Sequence, residues 1–265
     1  MRYPEGQFSW IDLMTPDPVR ARDFYCGLFG WDAKDMQTPN GPPYTTFLLH
    51  GQVVAGLGTQ PPELRAAGIP PTWTSYVNVE SLEHAMGRAT EAGGSVVMEP
   101  MEIPPEGRMA LIADPSGAVV GLWQPEEHQG VDVVDTPGAM AWNELQTRDL
   151  PRASRFYEAV FGWEWTTPDN SEYLVAVLDA KAGDDKTVAG AMPMPPAVPP
   201  QAPSSWAVYF SVADCDASTW LATELGGREF LAPMQMGDMR FSGIIDPSGA
   251  MFMLLSRLML PSASL

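Results

Sequence analysis

Two acidic residues, Asp12 and Glu144, are the side chains of this sequence that are best placed for chemistry. Each follows a tryptophan by two positions, Trp10 and Trp142 respectively, so in an extended strand each acid shares a face with an aromatic ring. A carboxylate that is removed from water has a raised pKa and can act as a general base, or it can accept hydrogen bonds from a ligand. Asp12 and Glu144 are therefore the candidate catalytic residues, and Trp10 and Trp142 are candidate ligand contacts.

A structural role for the same two acids is also open. Arg108 and Arg240 lie 132 positions apart, as Asp12 and Glu144 do, and a buried carboxylate can be neutralised by an arginine. The alternatives are thus a ligand-facing acid in each half of the chain or an acid–arginine pair in each half.

No other catalytic arrangement can be assembled from the residue types. His50 falls in a predicted hairpin turn, His84 in a polar helix and His128 in a predicted linker, so we expect all three at the solvated surface. No Ser–His–Asp or Cys–His arrangement is therefore expected. Cys26 and Cys215 do not occupy equivalent positions, which argues against a disulfide and against a cysteine metal site.

The elements that must position these residues occur twice. A constant offset of 132 relates Trp10 to Trp142, Asp12 to Glu144, Asp17 to Asp149, Phe24-Tyr25 to Phe156-Tyr157 and Phe29-Gly30-Trp31 to Phe161-Gly162-Trp163. The sequence Asp-Pro-Ser-Gly-Ala recurs with the same offset at 114–118 and 246–250. A period this long indicates duplication of a whole domain. We predict one domain over residues 1–128, a linker over 129–137 and a second domain over 138–265.

Each repeat reads as a strand, a helix and three strands, followed by the same series again. Residues 7–14 alternate as a strand does. Asp17-Pro18 is a favoured helix start, and Gly30 is a favoured left-handed helix end. Proline-rich stretches at 60–71 and 192–203 are interpreted as stiff connections between the two halves of each repeat. The fold class is therefore α+β.

Composition limits the partners. The formal net charge of −18, from 33 acidic and 15 basic residues, repels phosphate, so neither nucleic acid nor an anionic membrane is an expected partner. No apolar run approaches the roughly 20 residues of a bilayer-spanning helix, and the first residues lack the apolar core of a signal peptide. We expect a cytoplasmic protein; its oligomeric state is left open.

The repeated motifs resemble the vicinal oxygen chelate superfamily of glyoxalases, bleomycin resistance proteins and extradiol dioxygenases. The features that carry the resemblance are the Asp-capped helix with Phe-Tyr and Phe-Gly-Trp, and the Asp-Pro-Ser-Gly-Ala turn. The resemblance implies two tandem glyoxalase-like domains, in which four βαβββ units form half-open curved sheets around cavities. It also implies a divalent metal held by side chains of the first, fifth and eighth strands of each repeat.

Those metal positions carry unsuitable residues in this sequence. By the family pattern they fall on Trp10 and Trp142, near Thr74 and Ala207, and on Gly121 and Met253. None of these is a usual ligand for Fe, Mn, Ni or Zn. No cofactor is therefore expected.

The same register predicts what lines the cavities instead. Besides Trp10 and Trp142, the expected ligand contacts are Tyr76, Tyr209, Trp123, Met251 and Met253. Aromatic and thioether side chains with few polar groups are typical of a pocket for an organic ligand. Tryptophan and methionine at alternate strand positions are equally compatible with an ordinary core.

The leading functional hypothesis is metal-independent binding of a hydrophobic or aromatic small molecule, such as a drug or secondary metabolite, in resistance or as a biosynthetic accessory. The alternative is an enzyme of the same fold, a hydroxylase, lyase, isomerase or cyclase with Glu144 or Asp12 as general base. A protein-interaction module, supported only by the proline-rich stretches, is the third class.

Overall fold

The first repeat contains two successive βαβββ modules. The computed structural model describes residues 3–38, 41–168, 172–178, 186–196 and 198–257. The elements of the first module are β1 (Phe8–Thr15), α1 (Pro18–Phe29), β2 (Asp32–Met36), β3 (Tyr44–Leu49) and β4 (Gln52–Thr59). The second module contains β5 (Thr72–Asn78), α3 (Leu82–Glu91), β6 (Ser95–Ile103), β7 (Gly107–Ala113) and β8 (Val119–Pro125), and the short helix α2 (Pro62–Ala66) precedes it.

Helix α2 lies within the first proline-rich connection, where the sequence had predicted no helix. Pro61 is its N-cap residue and Pro62 its first helical residue. Proline is tolerated at these positions because the first turn of a helix does not use its N–H groups.

The second repeat has the same order of elements. Its modules contain β9 (Met140–Thr147), α4 (Leu150–Phe161), β10 (Glu164–Thr166), β11 (Leu174–Leu178) and β12 (Lys186–Pro193), then β13 (Ser205–Ser211), α5 (Cys215–Glu224), β14 (Arg228–Met236), β15 (Met239–Ile245) and β16 (Met251–Arg257). The prediction of four βαβββ units is therefore confirmed.

Each repeat forms an open eight-stranded sheet. The strand order is β2-β3-β4-β1-β5-β8-β7-β6 in the first sheet and β10-β11-β12-β9-β13-β16-β15-β14 in the second. The first strand of a module pairs in parallel with its last strand, as β1 does with β4 and β5 with β8. The other neighbours within a module are antiparallel hairpins.

The backbone groups into two compact units that do not coincide with the repeats. The described residues of the first unit fall within Met1–Ile11, Thr74–Val131 and Trp142–Ala207. Those of the second fall within Asp12–Trp73, Asp132–Ala141 and Val208–Leu265. Each unit thus combines elements of both repeats, whereas the boundaries 1–128, 129–137 and 138–265 describe the sequence repeat and stay a prediction.

The repeated motifs connect the two halves of each compact unit. In the second unit, Asp246 accepts three backbone N–H groups of its own turn through Oδ1 and the Tyr25 hydroxyl through Oδ2 at 3.1 Å. The Trp73 indole N–H donates to the same hydroxyl at 2.9 Å. Burial raises the pKa of Asp246, and burial together with the Asp246 charge raises the pKa of Tyr25 well above its ordinary value.

The first unit contains the reciprocal arrangement. The Tyr157 hydroxyl donates to Asp114 Oδ2 at 3.2 Å, and the Trp206 indole donates to that hydroxyl at 2.8 Å. Tyr25 and Asp246 come from different repeats, and so do Tyr157 and Asp114. The helix motif of one repeat is therefore paired with the Asp-Pro-Ser-Gly-Ala turn of the other.

Local signals at the helix ends are confirmed as well. The Asp17 side chain accepts the Arg20 N–H at the start of α1, and Gly30 ends the helix at φ 70°. The Asp149 side chain accepts the Arg152 N–H at the start of α4, and Gly162 ends that helix at φ 72°. Within the described parts of the chain, no helix is long and apolar enough to cross a membrane.

Candidate functional site

A chain of three hydrogen-bonded side chains follows the first strand of the second repeat. The Trp142 indole Nε1 donates to the Tyr173 hydroxyl at 2.9 Å, and that hydroxyl is hydrogen-bonded to the Glu144 carboxylate. Gln146 Nε2 lies 3.4 Å from Glu144 Oε1. Glu144 is 6% exposed, whereas Trp142 and Tyr173 are partly exposed.

The Tyr173 phenol stays protonated in this environment. Burial is the main cause that raises its pKa, followed by the negative charge of Glu144, and the bond from Trp142 acts in the opposite direction. Because the indole N–H already donates to the phenol oxygen, the phenol hydrogen is available to the carboxylate. The direction of donation is therefore from Trp142 to Tyr173 to Glu144.

Gly190 makes room for this arrangement. It pairs with Glu144 on one side and with Val175 on the other, so its α-carbon lies between the strand of the acid and the strand that follows Tyr173. A β-carbon at this position would lie 1.9 Å from the Tyr173 hydroxyl oxygen and 2.8 Å from Trp142 Nε1. Only glycine allows the phenol to cross β12 and reach the acid.

The first repeat contains the same acid–tyrosine pair. The Tyr44 hydroxyl donates to Asp12 Oδ2 at 3.2 Å, and Asp12 is 4% exposed. Asp12 pairs with Gly56, which pairs with Thr46, two residues after Tyr44. This register matches that of Glu144, Gly190, Val175 and Tyr173.

Neither tyrosine was among the residues predicted from the sequence. Tyr44 and Tyr173 are 129 positions apart rather than 132, so the constant offset does not relate them. The connections around β2 and β3 differ in length from those around β10 and β11, and only the strand pairing reveals the equivalence.

Arg108 and Arg240, the candidate partners in the alternative of an acid–arginine pair, form ion pairs with other acids. Arg108 forms ion pairs with Glu83 at 2.8 Å and Glu102 at 2.6 Å, and Arg240 pairs with Asp216. These carboxylates lie on exposed parts of a helix or an edge strand, where sequence position alone gives no indication of which arginine reaches which acid.

The expectation that His128 is a solvated surface residue is also wrong. Its ring lies 4.4 Å from that of Trp10, at an interplanar angle of 87°, and 5.6 Å from that of Trp123. The Trp123 indole donates to the His128 carbonyl at 2.9 Å. His50, in a tight turn, and His84, on α3, are exposed as expected.

The remaining predicted contacts lie on β5, β8, β13 and β16. The Tyr76 ring covers Gly121, the residue with which it pairs on β8. On β16, Phe252 packs against Tyr25 of α1 with ring centroids 5.5 Å apart. Met251 and Met253 therefore face the other side of the sheet, because neighbouring residues of a strand point to opposite faces. Met251 is 53% exposed, and Met253 is buried.

The family's metal does not fit the side chains that this chain places on the relevant strands. Residue types at the expected positions are Trp10 and Trp142 on β1 and β9, Thr74 and Ala207 on β5 and β13, and Gly121 and Met253 on β8 and β16. None is an oxygen or imidazole donor of the kind that Mn, Fe, Ni or Zn sites use, apart from a threonine hydroxyl. Among the described residues, no group of three His, Cys, Asp or Glu side chains could hold a metal ion.

Sequence comparison identifies both repeats. Residues 7–122 match the Glyoxalase/Bleomycin resistance protein/Dioxygenase superfamily, and residues 142–255 match the Glyoxalase-like domain. The protein CFP32 of Mycobacterium tuberculosis is 37% identical over 258 residues, which cover 96% of this chain and 95% of that protein. The anthracycline biosynthesis protein DnrV of Streptomyces peucetius is 34% identical over 261 residues, with 95% and 93% covered. DauV of Streptomyces sp. strain C5, also an anthracycline biosynthesis protein, is 35% identical over 263 residues, again with 95% and 93% covered.

Solved structures share the fold at low sequence identity. A Mn(II)-bound glyoxalase from Novosphingobium aromaticivorans superposes with a TM-score of 0.63 at 14% identity, covering 96% of this chain and 83% of that one. The 2,3-dioxygenase LapB from Pseudomonas sp. KL28 superposes with a TM-score of 0.63 at 10% identity, covering 97% and 94%. The family matches and the curated relatives show that the chain belongs to the glyoxalase/bleomycin resistance protein/dioxygenase superfamily, with two glyoxalase-like domains in tandem.

Proposed function

We propose that this protein binds a planar, hydroxylated aromatic small molecule without a metal, as an accessory to the biosynthesis of a secondary metabolite. The observation that carries the proposal is the hydrogen-bonded chain from Trp142 through Tyr173 to Glu144, beside a partly exposed indole. An aromatic surface with a few convergent polar groups is the usual composition of a small-molecule site.

The direction of the hydrogen bonds selects the ligand chemistry. Glu144 accepts from the Tyr173 hydroxyl, and an ionised carboxylate can only accept further hydrogen bonds. A ligand group that meets the carboxylate must therefore donate a hydrogen, as a phenolic hydroxyl does and a quinone carbonyl does not. The indole of Trp142 supplies a face on which a flat ring can stack.

Relatives support this class of ligand. DauV and DnrV are anthracycline biosynthesis proteins, and they match nearly the whole of this chain. An anthracycline is built on a planar ring system that carries both phenolic hydroxyls and quinone carbonyls. The shared fold and the shared length favour a role of the same kind for this chain.

The proposal includes metal independence and a cytoplasmic setting. Metal independence is proposed because the strand positions that bind metal elsewhere in the superfamily carry Trp, Thr, Ala, Gly and Met here. A cytoplasmic setting is supported by Cys26 and Cys215, which are free thiols, as is usual in a reducing compartment. The net charge of −18 disfavours nucleic acid and anionic membranes as partners and favours neutral or cationic ligands.

Quinizarin, a dihydroxylated anthraquinone, is a suitable probe, and unsubstituted anthraquinone is its matched control. In a buffer that contains EDTA, quinizarin should quench the tryptophan emission and saturate, whereas anthraquinone should bind at least about tenfold more weakly, since it cannot donate to Glu144. Tyr173→Phe should reduce this preference, because the Glu144 carboxylate, although still an acceptor, loses the phenol that orients it. Equal affinity for the two compounds in the wild-type protein would overturn the proposed ligand class.

A second candidate function uses the same carboxylate as a general base. Glu144 is buried and accepts a hydrogen bond from a phenol that remains protonated. Such a carboxylate could remove a proton from a hydroxyl or an activated carbon of a bound aromatic substrate. The reaction classes are those of a hydroxylase, lyase, isomerase or cyclase, with Asp12 as the corresponding residue of the first repeat.

A further inference from the structure

We infer that each chain binds one aromatic ligand, at Trp142, because the first repeat covers its own equivalent tryptophan with residues 126–131. This inference rests on the proposed function and specifies which of the two repeated sites performs it. The covering segment, residues 126–131, directly follows β8 and belongs to the same compact unit as Trp10 and Trp142.

The covering segment places a histidine where a ligand ring would otherwise lie. The His128 ring packs edge-on against Trp10 at 4.4 Å, and Trp10 is only 5% exposed. Trp123, whose indole donates to the His128 carbonyl, holds the backbone of the segment at that point. A flat ligand that stacks on Trp10 would therefore have to displace His128.

The covering segment is held both by the turn between β6 and β7 and by β1, the strand of Trp10. The N–H groups of Glu126 and His128 donate to the carbonyl of Glu106 in that turn at 3.0 Å, and the Val131 N–H donates to the Ser9 carbonyl on β1 at 2.8 Å. Gly130 has a φ of 118°, and a β-carbon there would lie 2.3 Å from the Ser9 carbonyl oxygen. Displacing the segment would break these hydrogen bonds, and the bond between Val131 and Ser9 joins two buried residues, which makes stacking on Trp10 unfavourable.

Trp142 is in a different situation. Its indole is partly exposed, its N–H is directed to Tyr173, and that phenol is directed to Glu144. The second repeat thus presents a stacking surface together with an oriented acceptor. Within the part of the chain that the structure describes, the two repeats therefore differ in this tryptophan, which is buried at Trp10 and partly exposed at Trp142.

The stoichiometry of quinizarin binding tests the inference on the unmodified protein. Isothermal titration and native mass spectrometry should both give one equivalent of quinizarin per chain. The matched variants are Trp142→Phe and Trp10→Phe, each of which keeps an aromatic ring in the strand. Trp142→Phe should weaken quinizarin binding about tenfold and abolish most of the quenching, whereas Trp10→Phe should change the affinity by less than about twofold.

The possible results distinguish the single-site inference from the proposed function on which it rests. One equivalent that depends on Trp142 supports both. Two equivalents per chain, or one equivalent that depends on Trp10 and not on Trp142, would overturn the single-site inference while the proposed function stands. No binding of quinizarin to the folded wild-type protein would overturn the proposed function and the inference with it.

Discussion

Glu144 is the residue whose substitution best separates binding from catalysis. If the protein only binds, Glu144→Gln should weaken quinizarin binding about tenfold, because a hydrogen bond to a charged acceptor contributes about 1.5–3 kcal/mol. If Glu144 is a general base, binding of the substrate should persist while turnover slows about 10²–10⁴-fold. Titration and single-turnover assays on the same variant distinguish the two.

Asp12→Asn is the matched control for this experiment. Asp12 makes the same kind of bond to Tyr44, but its repeat is the one in which Trp10 is covered. Its substitution should leave ligand affinity unchanged. Equal losses in the two variants would show that the acids are interchangeable, and an unchanged affinity in both would show that Glu144 does not contact the ligand.

Gly190 is the second residue at which a small change should have a large effect. Gly190→Ala places a methyl group 1.9 Å from the Tyr173 oxygen, so the phenol must move away from Glu144 and Trp142. We expect a loss of quinizarin binding of at least about tenfold, together with a destabilisation of about 1–3 kcal/mol from overpacking. Urea unfolding and ligand titration measure the two effects separately.

Gly87→Ala provides the control for glycine replacement. Gly87 lies within α3 and has no atom near the position of a β-carbon. Alanine there should leave binding unchanged and stabilise the protein by up to about 1 kcal/mol, because it favours the helix. Retained quinizarin affinity in Gly190→Ala would contradict the role given to Tyr173.

At the scale of elements, the pairing of a helix with a turn from the other repeat should control stability. Tyr25→Phe removes the hydroxyl that links Asp246 to Trp73, and Asp246→Asn removes the charged acceptor. Each substitution should cost about 1–3 kcal/mol of unfolding free energy, since a buried partner is left unsatisfied. The double variant should cost clearly less than the sum, because both substitutions break the same network.

The same pairing has a pH dependence whose sign follows from burial. Because burial raises the pKa of Asp246, the folded chain retains this proton to a higher pH than the unfolded chain. The contribution of Asp246 to the free energy of unfolding is therefore largest below the pKa of about 4 that its carboxyl has in the unfolded chain. This contribution decreases as the pH rises through the pKa that the carboxyl has in the folded chain. Asp246→Asn should remove this part of the pH dependence of urea unfolding. An unaltered profile in the variant would contradict the assignment.

For the whole molecule, the residue types at the family's metal positions lead to an expectation about composition. The purified protein should contain no stoichiometric Fe, Mn, Ni or Zn, and dialysis against EDTA should leave both the melting temperature and quinizarin binding unchanged. Elemental analysis by mass spectrometry measures the first, and titration before and after dialysis measures the second. About one metal ion per repeat, or a loss of binding on chelation, would contradict metal-independent binding.

The duplication, the four βαβββ modules and the helix ends could all be predicted from the sequence. These depend on local chemistry, such as the Asp17 cap and the Gly30 left-handed end, and on an offset that can be read directly from the chain. The strand faces were likewise predictable, because side chains alternate along a strand. Trp142 and Glu144 were therefore correctly placed on one strand at positions that share a face.

Tertiary structure alone decided what these side chains contact. Tyr173 reaches Glu144 only because β11 and β12 are paired in one register and because Gly190 leaves space between them, and neither condition appears in the spacing of the residues. His128 covers Trp10 because the segment after β8 turns back onto β1, a non-local contact that local pattern does not encode. The reciprocal bonds of Tyr25 with Asp246 and of Tyr157 with Asp114 follow from the way elements of both repeats share a core. Such contacts depend on how the whole chain packs, whereas the motifs that take part in them can be recognised from a few neighbouring residues.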